Sequence, residues 1–223
     1  MAKVTRKVGR GRRPLVHKGR KLVCTWRFED EAVAQGLLVV AGVDEVGCGA
    51  LCGPVVAGAV VLDRSVDPAG IDDSKRLTAK QRERLAEQIR TRARAWAVAC
   101  ADPAEIDRLN ILRATHLAMR RALEGLGLLP DLVLVDGREA SGLGLAQRAI
   151  VKGDALSFSI AAASIVAKVA RDAMMRDWDV RCPGYGLARN MGYASQGHRD
   201  ALHKLGPSVI HRRSLQGTQA WLF

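Results

Sequence analysis

The connection between the first two apolar segments restricts the fold of this chain more than any other feature. Residues 37–45 and 55–62 each have the length and the apolar composition of a buried strand. The glycine-rich loop between them is shorter than the dozen or so residues that a crossover between parallel strands requires. We therefore expect the sheet to contain these two strands as antiparallel neighbours.

Strand and helix patterns alternate after this pair. Strands are predicted at 95–101, 131–137 and 149–156, and helices are predicted from Thr78, from Asp102, at 157–179 and at 195–204. Thr78 has Gln81 three residues later, which is a capping-box pattern, and Asp102 is followed by a proline, which suits the first helical position. This order predicts an α/β fold in which helices flank a mixed sheet, with a C-terminal helical segment.

The positive charge is concentrated at the N-terminus. The formal net charge is +12, and residues 1–23 contain nine Lys and Arg and no acid. We predict a disordered basic tail over residues 1–23 and one folded domain over residues 24–223. The tail suits a polyanion such as nucleic acid, although a solvated arm without a dedicated partner has the same composition. Its low serine content and lack of amphipathic period argue against a transit peptide.

Composition also limits the class of protein. The chain has no apolar run of the roughly 18 residues that a membrane span requires, so we expect no membrane association. Its five cysteines are odd in number and irregularly spaced, which favours a reduced, cytoplasmic protein over a disulfide framework. Cys48 and Cys52 could pair as metal ligands, but no second Cys or His pair lies near them in sequence, which disfavours structural zinc.

The glycines after the first strand do not have the pattern of a dinucleotide-binding loop. Gly47, Gly49 and Gly53 have the spacing G-x-G-x-x-x-G, and a strand follows them instead of a helix. Two carboxylates, Asp44 and Glu45, also stand where a pyrophosphate would approach. These features argue against a nucleotide-binding site of that type.

Three acids occupy positions from which they could converge. Asp44 and Asp136 each end an apolar strand, and Asp172 lies in the long helix one turn after Lys168. Buried carboxylates repel one another, so a site that gathers several of them requires a cation. Oxygen ligands select hard ions such as Mg²⁺ or Mn²⁺, and a pair of such ions is a recurrent device for attack at phosphodiesters. Spacing alone leaves open that each acid caps a strand or pairs with a Lys or Arg.

Five blocks of the sequence resemble, in the same order, the signature segments of bacterial ribonuclease HII. They are AGVDEVGCGALCGPVVAGAVVL, IDDSKRLTAKQRERL, LVLVDG, VKGDALSFSIAAASIVAKVARD and MGYASQGHRDALHKLGPSVIHRRS. The resemblance covers roughly residues 26–214, which is nearly the whole predicted domain. Five ordered blocks are far more specific than a lone motif.

The resemblance implies a ribonuclease H-like fold and an endonuclease that depends on Mg²⁺ or Mn²⁺, acting as a pair of ions. Such an enzyme cuts the RNA strand of RNA–DNA hybrids and nicks duplex DNA on the 5′ side of an embedded ribonucleotide, leaving 3′-hydroxyl and 5′-phosphate ends. The resemblance places the four catalytic, metal-binding acids at Asp44, Glu45, Asp136 and Asp172. We expect a monomer whose partners are RNA–DNA hybrids and ribonucleotide-containing duplexes.

Other side chains are candidates for contacts with the substrate. Lys75 and Lys168 are candidates for phosphate contacts, and Lys168 could instead steady Asp172. Tyr193 matches a family tyrosine that stacks under the sugar next to the ribonucleotide junction, and the basic run at 211–213 could grip backbone phosphates. Each also has an ordinary alternative, as a surface lysine, an ion-pair partner, a loop anchor or a solvated terminus.

The chain departs from the family in the loop after the first strand. The family has Arg between two glycines, whereas this chain has Gly47-Cys48-Gly49, which we call the GCG loop. In the family this loop reads the 2′-hydroxyl at the junction, largely through backbone groups, with the Arg assisting. Two hypotheses follow: an active ribonuclease HII with altered junction preference, or a hybrid-binding member with weak cleavage. The intact acids favour the first.

Overall fold

The computed structural model of the chain describes residues 22–214. The basic tail predicted for residues 1–23 therefore lies outside the described residues, except for its last two. The strands are β1 (Val40–Val46), β2 (Val55–Val61), β3 (Ala95–Ala101), β4 (Leu132–Asp136) and β5 (Gln147–Ile150). The helices are α1 (Arg27–Val33), α2 (Ala79–Arg92), α3 (Pro103–Leu109), α4 (Ile111–Glu124), α5 (Phe158–Arg181), α6 (Leu187–Asn190) and α7 (Gln196–Leu205), with short 3₁₀ helices at Ser74–Arg76 and Gly153–Ala155. The sequence patterns did not indicate α1.

The five strands form one mixed sheet in the order β3-β2-β1-β4-β5. β1 pairs antiparallel with β2, with Gly42 opposite Val60, which confirms the prediction from the short loop. β1 pairs parallel with β4, and β4 pairs parallel with β5, so the carboxyl ends of these three strands meet at one edge. The core has α4 on one face of the sheet and α5 on the other, which confirms the predicted α/β architecture.

Small residues in β1 and β2 allow α5 to lie directly on the sheet. A Cβ atom on Gly42 would lie 2.1 Å from the carbonyl carbon of Ser159, and one on Gly58 would lie 2.3 Å from the carbonyl oxygen of Ala163. Because neither strand can carry a side chain at these positions, the distance between α5 and the sheet is fixed by backbone contact. This contact fixes which residues of α5 face the end of β1.

The side-chain caps predicted from the sequence are present. Thr78 and Gln81 form a complete capping box at the start of α2, and Asp102 forms one with Glu105 at the start of α3. The hydroxyl of Ser195 accepts a hydrogen bond from the backbone N–H of His198 at the start of α7. Each cap satisfies N–H groups that the first turn leaves without a helical partner, which confirms the predicted starts of these helices.

α5 begins one residue after the predicted start at 157 and extends to Arg181. The hydroxyl of Ser157 caps it by accepting a hydrogen bond from the backbone N–H of Ile160 at 3.3 Å. Residues 159–167 of α5 are all buried, and charged side chains begin at Lys168. Within residues 22–214, no helix is both long enough and apolar enough to cross a membrane.

The strand predicted at 149–156 is wrong in its bounds. β5 ends at Ile150, Lys152 has a left-handed φ of 61°, and the chain then enters the 3₁₀ helix Gly153–Ala155. Glycine suits the first residue of that helix, since a Cβ atom there would lie 2.5 Å from the Cδ1 of Ile160 and 3.3 Å from Asp136 Oδ1. The chain therefore reverses direction where the apolar pattern suggested that the strand continued.

Candidate active site

The first two acids of the site are placed by the register of two parallel strands. Val43 of β1 lies opposite Val135 of β4, so the next residues, Asp44 and Asp136, lie side by side at the edge of the sheet. Both valines pack on the α4 side, and side chains alternate along a strand, so both carboxylates lie on the α5 side. Asp44 is only 4% exposed.

A third acid, Asp154, joins this pair, although sequence reasoning missed it. Oxygen atoms of Asp44, Asp136 and Asp154 lie within 4.8 Å of one another. The backbone N–H of Gly153 donates to Asp136 Oδ1 at 2.6 Å and fixes the 3₁₀ turn beside β4. One signal could have found Asp154: it follows β5, whose carboxyl end lies at the same edge as those of β1 and β4.

Glu45 lies next to this group on the other side of β1. Its backbone N–H donates to Asp44 Oδ1 at 2.7 Å, and the Cys48 thiol donates to its Oε1 at 3.8 Å. Burial, and then the negative charge of Asp136, raise the pKa of the Glu45 carboxyl. The charge of Asp136 is therefore felt at Glu45 even though adjacent strand residues point to opposite faces.

The carboxylates of this site destabilise one another. Burial raises the pKa of Asp44 well above its usual range, and the charges of Glu45 and Asp136 add to the effect. Burial also raises the pKa of Asp136, followed by the charge of Asp154. Oxygen ligands that repel one another in a partly buried site fit hard divalent cations, because such cations remove the repulsion and replace lost hydration.

The structure does not bring Asp172 into this group, which corrects the prediction that it is one of the clustered ligands. Lys168 Nζ donates to Asp172 Oδ1 at 2.6 Å, and Arg82 Nη2 lies 3.8 Å from its Oδ2. Ser164, two helical turns earlier on α5, lies beside Asp44, where its hydroxyl partly offsets the effect of burial on the pKa of that carboxyl. Eight residues of α-helix rise about 12 Å, so Asp172 lies far along α5 from the cluster and is neutralised by two cations.

Of the two predicted phosphate-binding lysines, the structure brings one to the acids. Lys75 Nζ donates to Asp154 Oδ2 at 2.8 Å, while the Lys75 side chain remains 76% exposed. The hydrogen bond and the charge of Asp154 raise the pKa of Lys75, so its ammonium is charged at neutral pH. Lys168 instead pairs with Asp172, which is the ordinary alternative considered for it.

The GCG loop leaves β1 through a tight turn. Gly47 has a left-handed φ of 96°, and a Cβ atom there would lie 2.2 Å from Arg171 Nε, so only glycine fits. A Cβ on Gly49 would meet nothing within 4 Å, so the backbone there is open to an approaching ligand. The Cys48 thiol instead turns toward Thr115, with 3.2 Å between Sγ and Oγ1. Burial raises the pKa of this thiol to about 11, so it is neutral at pH 7.

The basic run at 211–213 stabilises the backbone of the GCG loop from the protein interior. His211 and Arg212 are buried, so they are not available to grip phosphates as predicted. Arg212 Nη1 donates to the carbonyl oxygen of Cys48 at 3.0 Å, and its Nε donates to that of Gly53 at 2.9 Å. Tyr193 lies next to this region, and its side chain is partly exposed.

Comparison with known proteins shows the family. A family model described as Ribonuclease HII matches residues 41–218. The chain belongs to the ribonuclease HII family. A ribonuclease HII of Cereibacter sphaeroides is 55% identical over 86% of this chain and 90% of its own length. One of Anaeromyxobacter is 51% identical over 89% of this chain, which spans 63% of that relative's length.

The solved structures agree with this ribonuclease HII assignment. The crystal structure of ribonuclease H2 from Pyrococcus horikoshii is 28% identical, with a TM-score of 0.69 over 81% of this chain and 95% of that one. The predicted ribonuclease H-like fold is thereby confirmed, as is a nuclease of the ribonuclease H2 type. Ribonucleases H depend on divalent metal ions, which agrees with the chemistry of the acidic cluster.

The repulsion within the cluster predicts that Asp44→Asn stabilises the metal-free ribonuclease HII chain. The folded-state pKa of Asp44 is raised, so the stability that its protonated form provides is complete below the unfolded pKa and lost as pH rises through the folded value. At pH 7 with a chelator we expect a gain of at least about 1 kcal/mol, or roughly 2–4 °C in Tm. The gain should shrink as pH falls toward about 4.

Thermal unfolding of both proteins between pH 4 and pH 8 measures this difference. Asp177→Asn, on the exposed surface of α5, is the matched control and should leave Tm unchanged at every pH. A lower Tm for Asp44→Asn at pH 7 without metal would show that the carboxylates do not repel one another as described.

Proposed function

We propose that this ribonuclease HII family member hydrolyses the RNA strand of RNA–DNA hybrids and nicks duplex DNA on the 5′ side of an embedded ribonucleotide. The products would carry 3′-hydroxyl and 5′-phosphate ends. The observation that carries the proposal is the group of Asp44, Asp136 and Asp154, which lies beside the exposed backbone of the GCG loop. A carboxylate cluster next to a loop that can approach a sugar suits hydrolysis at a ribonucleotide.

The proposed ligands for a pair of Mg²⁺ or Mn²⁺ ions are Asp44, Glu45, Asp136 and Asp154. This set keeps three of the four acids implied by the resemblance and replaces Asp172 with Asp154. When bound, the ions would activate a water molecule and neutralise charge on the scissile phosphate. Burial, and then repulsion between the carboxylates, raises the pKa of Asp44 and Asp136. This supports a cation here, because a cation would restore both groups to the ionised form.

The exposed ammonium of Lys75 is placed to meet the substrate phosphate. Its partner, Asp154, belongs to the acidic cluster, so a phosphate held by that cluster would lie within reach of Lys75. Lys168 is proposed to act less directly, since its ammonium already pairs with Asp172. Its positive charge lies on the face of α5 that leads toward the site, and it would favour the approach of a polyanion.

The backbone of the GCG loop is proposed to recognise the 2′-hydroxyl. Gly49 leaves the backbone open, and Arg212 holds the carbonyl oxygen of Cys48 toward the protein interior. The Cys48 side chain, turned toward Thr115, offers no charge to the substrate. Tyr193 would stack under the neighbouring sugar. The remaining proposals are a monomer and a basic N-terminal tail that adds affinity for nucleic acid in a salt-dependent manner.

Cleavage of two substrates tests the function. One is a long RNA–DNA hybrid, and the other is a DNA duplex with one embedded ribonucleotide. We expect cleavage of both with Mg²⁺ or Mn²⁺, none with a chelator, and a nick on the 5′ side of the ribonucleotide. Cleavage that leaves 2′,3′-cyclic phosphate ends, or cleavage that persists in a chelator, would contradict the metal-dependent reaction.

Cys48→Arg is expected to raise the rate on the single ribonucleotide relative to the rate on the long hybrid. A charge-assisted hydrogen bond is worth about 1.5–3 kcal/mol, which is roughly one to two powers of ten in rate if it is made in the transition state. The long hybrid has a 2′-hydroxyl at every position, so it depends less on one contact. The ratio of kcat/KM for the two substrates is the measurement.

Cys48→Ser is the matched control, since it changes the donor without adding a charge, and it should leave the ratio unchanged. Two nearby cations could already supply the missing charge. Lys75, however, is directed to the acidic cluster through Asp154, and Arg76 Nη1 lies 3.2 Å from Asp72 Oδ1, so neither cation is directed to the GCG loop. An unchanged ratio in Cys48→Arg would show that the loop does not use a side chain at this position.

A further inference from the structure

Arg171 connects the two elements that are proposed to read the ribonucleotide junction. It lies on α5 and is completely buried. Its Nε donates to the carbonyl oxygen of Pro54 at 3.0 Å, and its Nη2 donates to that of Cys52 at 3.3 Å. Its Nη1 donates to the carbonyl oxygen of Met191 at 2.9 Å. One guanidinium therefore holds the segment after the GCG loop and the segment before Tyr193.

The same side chain contacts the reading elements directly. Its guanidinium lies under the Tyr193 ring, with 5.3 Å between Cζ and the ring centroid. On the other side it lies so close to Gly47 that a Cβ atom there would be 2.2 Å from Nε. Gly47 therefore packs against Arg171 without a side chain between them. Any shift of Arg171 would move the loop and the tyrosine relative to each other.

The position of this cation is unfavourable for stability. Among residues 22–214, no carboxylate forms an ion pair with Arg171, and burial lowers the pKa of its guanidinium. The neighbouring Asp172 is occupied by Lys168 and Arg82. A buried charge satisfied only by carbonyl oxygens is expensive, and apolar residues of similar volume often serve stability as well or better. The arrangement therefore suggests a role beyond holding the fold together.

We propose that Arg171 is a positioning residue that fixes the spacing between the GCG loop and Tyr193, so that both engage one ribonucleotide junction together. The proposal rests on the function proposed above and deepens it. A planar group with three separate donors can hold three carbonyl oxygens in fixed directions, which an ammonium cannot do. Fixing both segments before binding would reduce the ordering that the substrate must otherwise impose.

The proposal predicts a selective defect. A duplex with a single embedded ribonucleotide can be cut at one position only, so the GCG loop and Tyr193 must both be correctly placed at that position. A long hybrid has a 2′-hydroxyl on every nucleotide of its RNA strand, so it tolerates a less exact spacing between the GCG loop and Tyr193. Arg171→Lys should therefore lower kcat/KM on the single-ribonucleotide duplex by roughly tenfold more than on the long hybrid, since loss of one aligned hydrogen bond is of this size.

Arg199→Lys is the matched control. Arg199 is an exposed arginine whose Nε and Nη2 both donate to the carbonyl oxygen of Ala194, at 3.1 and 2.8 Å. It therefore also holds a backbone carbonyl beside Tyr193, but within residues 22–214 its hydrogen bonds do not bridge to the segment after the GCG loop. It should leave the ratio of the two substrates unchanged. Metal affinity, measured by calorimetry, should be the same in both variants and the unmodified protein, because the acidic cluster is intact.

A double-mutant cycle with Tyr193→Ala separates positioning from general support. If Arg171 acts through Tyr193, the two substitutions should be non-additive on the single-ribonucleotide duplex, because the second removes what the first misplaces. Additive effects, or an equal loss on both substrates, would overturn the proposal. If the unmodified protein does not nick at a ribonucleotide at all, the proposed function fails instead, so the two failures are distinguishable.

Arg171→Gln provides a second variant if the lysine variant does not fold. It removes the buried charge and keeps a planar amide with two donors, so it is expected to be better tolerated. It should show the same selective defect. The unmodified protein offers a measurement that needs no variant: the Arg171 Nε–H signal in NMR should shift with a ribonucleotide-containing duplex and not with an all-DNA duplex of the same sequence. Equal shifts with both would contradict the proposal.

Discussion

Asp136→Asn is expected to lower turnover on the long hybrid by about a thousandfold while the protein still binds it. The substitution removes a ligand charge from the centre of the cluster, where Asp136 is close to both Asp44 and Asp154. Metal ions supply several kcal/mol of transition-state stabilisation, and about 4 kcal/mol corresponds to a thousandfold in rate. Contacts made by Lys75 and the GCG loop do not depend on this carboxylate, so the affinity for substrate should fall little.

Two measurements check this expectation. Single-turnover cleavage with Mg²⁺ gives the rate, and fluorescence anisotropy with a labelled hybrid in the absence of Mg²⁺ gives the affinity. Asp177→Asn, far along the exposed side of α5, serves as the control for a lost surface carboxylate. Turnover near that of the unmodified protein in Asp136→Asn would show that the cluster is not the metal site.

Much of the architecture could be predicted because it depends on loop lengths and on helix caps, which involve residues close together in sequence. The length of the loop after β1 excludes a parallel crossover, so the antiparallel pairing with β2 follows without tertiary information. The capping residues Thr78, Asp102 and Ser195 define the starts of three helices through hydrogen bonds to neighbours in sequence. These features depend on residues a few positions apart, which is the range over which sequence patterns are informative.

The convergence of the acids could be predicted only in part. Asp44 and Asp136 lie close together because each ends one of two neighbouring parallel strands, and each strand is visible in the sequence as an apolar run. The turn after β5 depends on contact between Gly153 and Ile160 of α5, and this contact cannot be seen as a local pattern. The apolar run therefore indicates a longer strand, which would include Asp154 and not bring it to the site.

The second group of potential metal ligands shows why residue types alone do not establish a metal site. Cys52, His198 and His211 lie close together and are buried. The backbone N–H of Ser208 donates to His211 Nδ1, so the proton of that neutral ring lies on Nε2, which faces His198 Nε2 at 3.0 Å. His198 Nδ1 then donates to the carbonyl oxygen of Tyr193 at 2.9 Å. The two rings form a satisfied hydrogen-bond chain that steadies the Tyr193 segment.

The electrostatic surroundings also distinguish the Cys52, His198 and His211 group from the acidic cluster. Arg171 Nη2 donates to the carbonyl oxygen of Cys52, and burial raises the pKa of the Cys52 thiol to about 12. A dication beside a buried guanidinium and a protonated thiol would be repelled. The acidic cluster has the opposite character, since burial and then its own negative charges raise the pKa of Asp44 and Asp136. Net local charge, and not ligand count, distinguishes the site that fits a metal.

The choice between Asp154 and Asp172 as the fourth ligand is expected to appear as a large difference between two matched substitutions. Asp154→Asn should lower turnover by at least about a hundredfold, because it removes a clustered oxygen ligand and the partner of Lys75. Asp172→Asn should lower turnover by no more than about tenfold, because it acts only through Lys168 and Arg82. Both remove one negative charge and keep the side-chain volume.

Stability should change in the opposite order. Asp172 is mostly buried between two cations, so Asp172→Asn leaves these charges without their partner and is expected to lower the free energy of unfolding by about 1–3 kcal/mol. Asp154→Asn relieves part of the repulsion on Asp136 and should be less damaging to the metal-free protein. Turnover, Mg²⁺ titration and thermal unfolding of the two variants together decide the assignment. If Asp172→Asn abolished Mg²⁺-dependent cleavage without loss of stability, while Asp154→Asn stayed active, Asp172 would be the fourth ligand, as the sequence resemblance implied.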